Sequence, residues 1–194
     1  GTASVGGAST STTTSTVVSS GIGDPRGLAF DSAGNMYVSG NGNAITKVTF
    51  SAPGVVNTIT PNFAGLTGSN PDALAFDSAG NLYVTYLSGS IGKFTFSSPG
   101  VLSSSNNSFI TGLNSPLGMA FDSSGNLFIL NSNGVINKAT FSSPGVLNTV
   151  TSFANVSGTI SFAQGLTIDP SNNLYVVGND KIVQVTPTPV ISTI

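Results

Sequence analysis

The side chains that could do chemistry in this sequence are seven aspartates, four lysines and one arginine. Glutamate, histidine, cysteine and tryptophan are all absent, which removes the thiolate nucleophile, the commonest metal ligand and the most frequent general base. A serine nucleophile would lack a histidine base, and no aspartate spacing specifically supports paired-carboxylate catalysis. We therefore expect a protein that is not an enzyme and that carries no cofactor and no resident metal ion.

Most of the charged residues recur at intervals of 45 to 47 residues. A residue that is copied once per interval is better explained by a repeated fold than by a single active site. We interpret the repeated aspartates as turn-forming residues, with a ring of carboxylates around a cation as the alternative, and the repeated lysines as solvated ends of strand residues. The aspartates are Asp31, Asp77, Asp122 and Asp169, and the lysines are Lys47, Lys93 and Lys138, with Gln184 at the fourth place.

The charges that do not recur are the better candidates for a ligand site or an interface. They are Asp24, Arg26, Asp72, Asp180 and Lys181. Arg26 and Asp72 occupy the same place in two successive copies, and Leu117 and Gln164 are their counterparts in the other two. A salt bridge between Arg26 and Asp72 is the structural interpretation, and contact with a small molecule or a glycan is the functional alternative.

The elements that must position these residues are short strands. Leu74–Val84 reads L-A-F-D-S-A-G-N-L-Y-V, and close variants begin at Leu28, Met119 and Leu166. Each copy has an apolar strand that alternates large and small residues, an aspartate- and glycine-containing turn, and three further strands separated by Gly, Ser and Pro. A period of this size with four strands per copy predicts the blades of a β-propeller.

The segment Pro25–Val48 resembles an NHL repeat, whose pattern is Pro-x-Gly-apolar-Ala-apolar-Asp, then Gly-Asn-apolar-Tyr-Val, then Gly-Asn-x-x-Ile-x-Lys-Val. The resemblance covers roughly residues 22–194 and implies an all-β fold, a four-bladed β-propeller of four-stranded antiparallel NHL-like blades. Related propellers include lactonases, lyases, RNA-binding proteins and scaffolds, so the resemblance does not select a function. The metal ligands of the lactonases include Glu and the lyase sites are rich in His, and neither set can be carried over.

We expect a low-complexity N-terminal tail over residues 1–14 and one propeller domain over residues 15–194. Its repeats are predicted at about 21–60, 66–110, 112–154 and 161–194. Residues 15–20 form one strand more than four blades need, and this strand is expected to close the ring or to pair with another molecule. The residues expected in terminal strand pairing are Thr16, Val17 and Val18 near the start and Val190, Ile191 and Ile194 at the end.

Composition bears on the partners and the location. Only 6% of the residues are charged, against about 25% in a typical domain, and the net charge is −2. This argues against a nucleic-acid partner, and no apolar run is long enough to span a bilayer as a helix. The surface predicted from so much Ser, Thr, Asn and Gly, together with a start at Gly1 without a hydrophobic leader, favours an extracellular or cell-surface protein.

Our expectation from sequence is a self-assembling structural subunit of a filament, matrix or virion coat, with itself as the main partner. The first alternative is a monomeric binding module for a glycan or other cell-surface ligand at one propeller face. The second alternative is a metal-assisted lactonase or hydrolase, which the absence of Glu and His disfavours.

Overall fold

The computed structural model describes residues 16–18, 22–41, 43–65 and 70–186, and these ranges contain strands and turns but no helix. The strands form four antiparallel sheets, which are the four blades of a β-propeller. This confirms the all-β, four-bladed architecture that the repeats predict.

The strands follow one another in each blade in sequence order, because short turns join antiparallel neighbours. Blade 1 contains β1 (Pro25–Phe30), β2 (Met36–Gly40), β3 (Ala44–Ala52) and β4 (Val55–Thr60), and blade 2 contains β5 (Pro71–Phe76), β6 (Leu82–Tyr86), β7 (Ser90–Ser98) and β8 (Val101–Ile110). Blade 3 contains β9 (Pro116–Phe121), β10 (Leu127–Asn131), β11 (Val135–Ser143) and β12 (Val146–Asn155), and blade 4 contains β13 (Ala163–Ile168), β14 (Leu174–Gly178) and β15 (Lys181–Val185).

The first strand of each blade lies innermost, and each inner strand contacts the inner strand of the next blade. Small residues permit this approach. A Cβ atom placed on Gly27 of β1 would collide with the carbonyl oxygen of Asp72 on β5, and one on Gly118 of β9 would lie 3.0 Å from the amide nitrogen of Leu166 on β13. Because small and large residues alternate along the inner strand, the small residues lie on the face that touches the next inner strand. The large residues lie on the opposite face.

Packing between blades is repeated as well. We call the face of a blade that meets the following blade its forward face, and the opposite face its rear face. Tyr37 on the forward face of blade 1 is fully buried and packs edge-on against two rings from the rear face of blade 2, at 5.3 Å from Phe76 and 5.7 Å from Phe96. Tyr83 of blade 2 is held in the same way by a phenylalanine pair on blade 3.

We call such a pair of phenylalanines a tyrosine socket. For Tyr83 the socket consists of Phe121 at 5.1 Å and Phe141 at 5.9 Å. The third junction has different residues, since Phe128 of blade 3 belongs to a buried cluster against which Leu166 and Ile168 of blade 4 pack. Burying one large apolar side chain contributes about 1.5–3 kcal/mol, so these junctions supply much of the cohesion between the blades.

The repeated lysines are not solvated ends, contrary to the expectation from sequence. Lys47 Nζ donates to the carbonyl oxygen of Gly100 in the next blade at 2.9 Å, and Lys93 Nζ donates to that of Gly145 at 2.7 Å. Each ammonium group also lies over a phenylalanine ring of its own blade, 4.6 Å from the Phe63 centroid for Lys47. The third lysine, Lys138, lies 5.3 Å from the centroid of the Phe128 ring.

The two ends of the row of blades differ from its interior. Leu28 and Phe30 on the rear face of blade 1 are 63% and 53% exposed, and Ile182 on the forward face of blade 4 is 73% exposed. Inside the row, Ile45 at the position of Ile182 is buried, and Leu74 and Phe76 at the positions of Leu28 and Phe30 are partly buried. The first and last blades of the described chain thus do not cover each other.

The expected extra strand near the start is not formed in its described part, because Thr16, Val17 and Val18 belong to no strand. Val17 instead lines a groove on blade 1. The residues expected to pair with this segment, Val190, Ile191 and Ile194, lie outside the described residues, as do the tail over residues 1–14 and the predicted fourth strand of blade 4. Terminal strand pairing and the domain limits therefore stay predictions.

Among the described residues there is no helix that is long and apolar enough to cross a membrane.

The close approach of β1 to β5 can be tested by substitution. We expect Gly27→Ala to lower the free energy of unfolding by about 1–3 kcal/mol, because the new methyl group meets backbone that cannot move aside. The matched control is Gly158→Ala, since no atom lies within 4 Å of a Cβ atom there. Urea titrations of both variants against the parent chain provide the measurement, and equal stability of the two variants would contradict the account.

The lysine contact between blades can be tested in the same way. We expect Lys93→Met to cost about 1–2 kcal/mol, since it keeps most of the apolar stem but removes a charge-assisted hydrogen bond to the next blade. Lys181→Met serves as the control, because Lys181 is exposed and its nearest acceptor, the Thr159 carbonyl oxygen, lies 3.4 Å away. A Lys93→Met variant as stable as its control would overturn the structural role of this lysine.

Candidate functional site at the mouth of the inner strands

The inner strands β1, β5 and β9 all begin at the same end of the propeller, which we call the mouth. At this end the residue before each strand adopts a positive φ, with values of 42° at Asp24, 43° at Asn70 and 44° at Ser115. Each of these residues precedes a proline, which disfavours the helical region for the residue before it. The strands therefore enter the mouth through one repeated backbone bend.

Three side chains at the mouth of blade 1 are linked by hydrogen bonds. Arg26 Nη2 donates to Asn41 Oδ1 at 3.0 Å, and the Asn41 side-chain amide donates in turn to the Asp24 carboxylate. Arg26, Asp24 and Asn41 are all exposed. The guanidinium group is therefore fixed by a neighbouring amide while its remaining donors stay accessible to solvent.

The salt bridge between Arg26 and Asp72 that the sequence suggests is not formed. Arg26 donates to Asn41 instead, and in the described chain the Asp72 carboxylate accepts no hydrogen bond. Partial burial raises the pKa of Asp72 above its usual value, and the Arg26 charge lowers it again by a smaller amount. The two groups are close enough to interact electrostatically, yet the carboxylate remains available to a ligand.

The backbone at Asp72 is held from the neighbouring blade. Ser39 is completely buried, its hydroxyl accepts a hydrogen bond from the Gly27 amide at 2.9 Å, and it donates to the Asp72 carbonyl oxygen. Thr85 repeats one of these contacts in blade 2, where it accepts from the Ala73 amide at 2.7 Å. The Asp72 carboxylate is thus presented by a rigid backbone rather than by a loose loop.

The other residues that the sequence singles out are spread over blades 3 and 4. Leu117 is half-buried and Gln164 is exposed, each at the start of its inner strand. Asp180, with a φ of 57°, lies on the exposed turn between β14 and β15, and Lys181 is the exposed first residue of β15. The structure brings together Asp24, Arg26 and Asp72, and it places Asp180 and Lys181 on another blade.

The repeated aspartates lie at the opposite end of the blades, where they organise the turn after the inner strand. In blade 2, Asp77 Oδ1 accepts from the amides of Ala79 and Asn81 at 3.0 and 2.9 Å. Asp77 Oδ2 accepts from the Asn81 side chain at 2.7 Å and from the Tyr83 hydroxyl at 3.2 Å. Asp31 and Asp169 make the corresponding four contacts, and Asp122 makes three of them, since Phe128 replaces the tyrosine.

These contacts bear on metal binding. The oxygens of the repeated aspartates are engaged within their own turns, and the described residues contain no group of three or more carboxylate side chains placed to hold a metal ion. The described residues therefore do not supply the ligand set of a metal-dependent lactonase. At the mouth, the Asp72 carboxylate beside Arg26 accepts no hydrogen bond from the described chain.

Sequence reasoning missed two residues of the site, Asn41 and Ser39. Asn41 lies directly after β2 and orients Arg26, and Ser39 fixes the Asp72 backbone. A small polar residue recurs at the Ser39 position as Thr85, and this polar break in an otherwise apolar strand was the available signal. Nothing in the spacing pairs Asn41 with Arg26, because the contact depends on how β1 and β2 are registered.

Comparison with known proteins gives structural neighbours only. No protein-family model matches the sequence, and no curated protein matches it. Among solved structures, virginiamycin B lyase from Staphylococcus aureus superposes with a TM-score of 0.61 at 16% identity, over 86% of this chain and 57% of that one. A gluconolactonase from Xanthomonas campestris gives 0.64 at 19% identity, over 84% and 59%.

A third neighbour, the PQQ domain of pyranose dehydrogenase from Coprinopsis cinerea, gives a TM-score of 0.64 at 14% identity, over 85% of this chain and 48% of that one. At these identities the similarity establishes the β-propeller fold. The chain spans less than two thirds of the length of each of these neighbours.

The expectation of a non-enzymatic structural subunit is contradicted by these comparisons, because the similar structures are a lyase, a lactonase and a dehydrogenase. The error lay in treating missing residue types as proof against catalysis. The absence of Glu and His removes particular mechanisms, but it leaves aspartate and arginine chemistry intact.

The tyrosines provide a test of the turn contacts and of blade packing. Burial, together with the neighbouring Asp31 and Asp77 carboxylates, raises the pKa values of Tyr37 and Tyr83, and burial alone raises that of Tyr86. A group whose pKa is raised by folding stabilises the fold fully below its unfolded value, which is about 10 for tyrosine, and the contribution is lost as the pH rises above it.

We therefore expect Tyr37, Tyr83 and Tyr86 to give no tyrosinate absorbance in the folded protein near pH 10, so that at most one of the four tyrosines ionises there. Ionisation of these three should coincide with alkaline unfolding. The sequence has no tryptophan, so the ultraviolet titration reports tyrosine alone. The same titration in denaturant should give a midpoint near 10. Normal ionisation in the folded state, measured beside circular dichroism, would contradict the burial of these hydroxyls.

Proposed function

We propose that this propeller binds a small, hydroxyl-rich, sugar-type ligand at the mouth of blades 1 and 2 and acts on it as a lactone hydrolase. The observation that carries the proposal is the Asp72 carboxyl, which is half-buried, accepts no hydrogen bond in the described chain and has a raised pKa beside the Arg26 guanidinium. Such a carboxyl supports acid–base chemistry.

The chemical steps follow from these two groups. Asp72 in its ionised form takes a proton from water, and the resulting hydroxide attacks the lactone carbonyl carbon. Negative charge develops on the carbonyl oxygen, and a guanidinium group such as that of Arg26 stabilises it. The ester C–O bond then breaks, and the ring oxygen receives the proton that Asp72 holds, so that a hydroxy acid leaves and the carboxylate is restored.

The substrate class is supported by the chemistry of the site and by the neighbours. A carboxylate and an arginine with free donors match the hydroxyl groups and the ester of a sugar lactone. Two neighbours carry names that refer to related molecules, a gluconolactonase and a pyranose dehydrogenase. Binding of a glycan without any reaction is the second candidate function, and the exposure of Arg26 at the mouth favours it.

The type of the repeats and the location of the protein are further parts of the proposal. We infer that the repeats are of the NHL type, which the Pro25–Val48 pattern supports, and an alignment of homologues that fails to retain this pattern would count against it. We also propose that the protein is exported, since its composition is poor in charge and rich in Ser, Thr and Asn. Fractionation of the producing cells, with the protein found only inside, would oppose export.

The central test is the Asp72→Asn variant assayed against a panel of sugar lactones. We expect a loss of about 10²-fold or more in kcat, in the range that general acid–base catalysis supplies, with the KM little changed. The raised pKa predicts that kcat of the parent chain rises with pH through a midpoint above the usual aspartate value of 3.8 and then levels off.

The control is Ser143→Ala, at the exposed last residue of β11 and at the opposite end of blade 3, and it should leave both constants unchanged. Arg26→Lys should lower kcat less than Asp72→Asn, since a charge remains without the planar donor array. If no lactone is turned over, but calorimetry detects a sugar whose binding is lost in Asp72→Asn, the glycan alternative replaces the hydrolase. If neither is found, the mouth is not the ligand site.

A further inference from the structure

The two ends of the row of blades carry the two halves of one junction. At the rear face of blade 1, Phe30 and Phe50 lie 6.3 Å apart. The filled tyrosine sockets have nearly the same spacing, 6.1 Å between Phe76 and Phe96 and 6.1 Å between Phe121 and Phe141. Blade 1 therefore carries a third, preformed socket, and no tyrosine of the described chain packs into it.

The space at this socket is open. A groove of about 580 Å³ runs along it and is lined by Phe30, Phe50, Met36 and Gly54, with Val17 from the segment before the first blade. In blades 2 and 3 the residues equivalent to Gly54 are Gly100 and Gly145, and both accept a lysine hydrogen bond from the preceding blade. Gly54 has no such neighbour within 4 Å of its Cβ position.

The matching tyrosine lies at the other end of the molecule. Tyr175 occupies in blade 4 the place of Tyr37 and Tyr83, and its hydroxyl is fixed in the same manner by Asp169 at 3.2 Å. Beside it, Ile182 occupies the place of the buried Ile45 but is 73% exposed. Gln184, which stands where the other blades have the bridging lysine, donates to the Tyr175 hydroxyl at 3.2 Å. The forward face of blade 4 thus presents the tyrosine and the isoleucine of a junction without a blade packed against them.

We propose that this partner is a second copy of the chain, with Tyr175 of one copy seated between Phe30 and Phe50 of the other. Within the described residues the chain does not fill its own socket, since Leu28 and Phe30 at one end and Ile182 at the other are all exposed. The new contact would continue the junctions that already join blades 1 to 2 and 2 to 3. It uses the same residue types in the same register.

Two copies joined head to tail have two such junctions, and these cover the end faces of the described blades in both copies. The result is a closed ring of eight blades, at the upper end of the usual range of about four to eight. A head-to-tail contact that closes after two copies gives a discrete dimer, whereas one that does not close gives an open polymer. The proposal is independent of the ligand at the mouth.

The first experiment measures mass in solution for the full chain by light scattering after size exclusion. We expect a species of twice the chain mass of 19.4 kDa. Phe30→Lys and Tyr175→Ala should each shift the equilibrium to monomers that keep the parent β-sheet circular dichroism spectrum. The matched control is Val101→Lys, because Val101 is 54% exposed, as Phe30 is to 53%, but lies on the outer strand of blade 2.

Mixing the two monomeric variants gives a sharper test. Phe30→Lys retains its Tyr175 end and Tyr175→Ala retains its Phe30 socket, so an equimolar mixture should form a dimer through one intact junction, while each variant alone does not. A mixture that stays monomeric would overturn the head-to-tail arrangement. So would monomeric behaviour of the parent chain at all concentrations, or growth of the parent chain into polymers longer than two copies.

Cross-linking separates contact between copies from closure within one chain. The sequence contains no cysteine, so a chain carrying both Ala52→Cys and Gln184→Cys can be joined at these two positions alone by a short bismaleimide. Ala52 lines the groove of blade 1 and Gln184 lies beside Tyr175, so both positions border the proposed junction while Phe30, Phe50 and Tyr175 stay in place. Covalent dimers are expected, together with no covalent species above two copies. Cross-linking within monomers, detected as an internal loop by peptide mapping, would overturn the proposal in favour of a self-closed ring.

Discussion

The seating of an aromatic side chain from one blade between two aromatic rings of the next is the constraint on which the rest of this structure depends. A four-stranded sheet with two apolar faces is not stable alone, and each blade gains its stability from its neighbours, as in other repeat proteins. Tyr37 and Tyr83 are the clearest cases, since both are completely buried and both touch a phenylalanine pair on the following blade. Each contact between aromatic rings adds about 0.5–1.5 kcal/mol to the area term.

Each tyrosine also has to place a polar hydroxyl, and this links packing to the turns. The Tyr83 hydroxyl reaches the Asp77 carboxylate, which in turn holds two backbone amides and the Asn81 side chain. Among the described residues no buried side-chain nitrogen or oxygen lacks a hydrogen-bond partner. The repeated polar residues therefore already have their hydrogen-bond partners within the blades. What remains for ligand chemistry are the charges that do not recur, and three of these, Asp24, Arg26 and Asp72, lie together at the mouth.

The contrast between the two kinds of aspartate explains why the function was misjudged from sequence. Asp77 is engaged in its turn, whereas Asp72, five residues earlier, stands half-buried beside Arg26 with no hydrogen bond from the described chain. Both are aspartates in a polar, charge-poor sequence. A count of residue types cannot distinguish a carboxylate that is consumed by structure from one that is available, because the difference is set by the hydrogen bonds around it.

The sequence by itself determined the blades: the recurrence of Asp31, its alternating inner strand and its glycine turn specify four copies of one sheet, since these are local signals of strand and turn. It also identified Arg26 and Asp72 as the unusual residues of the inner strands. Only the tertiary structure decided that Arg26 contacts Asn41 rather than Asp72, that Lys47 bridges to Gly100, and that the Phe30 socket is open. Each of these depends on the distance between blades or on strand register, which are set by packing over the whole sheet and are not encoded in any one repeat.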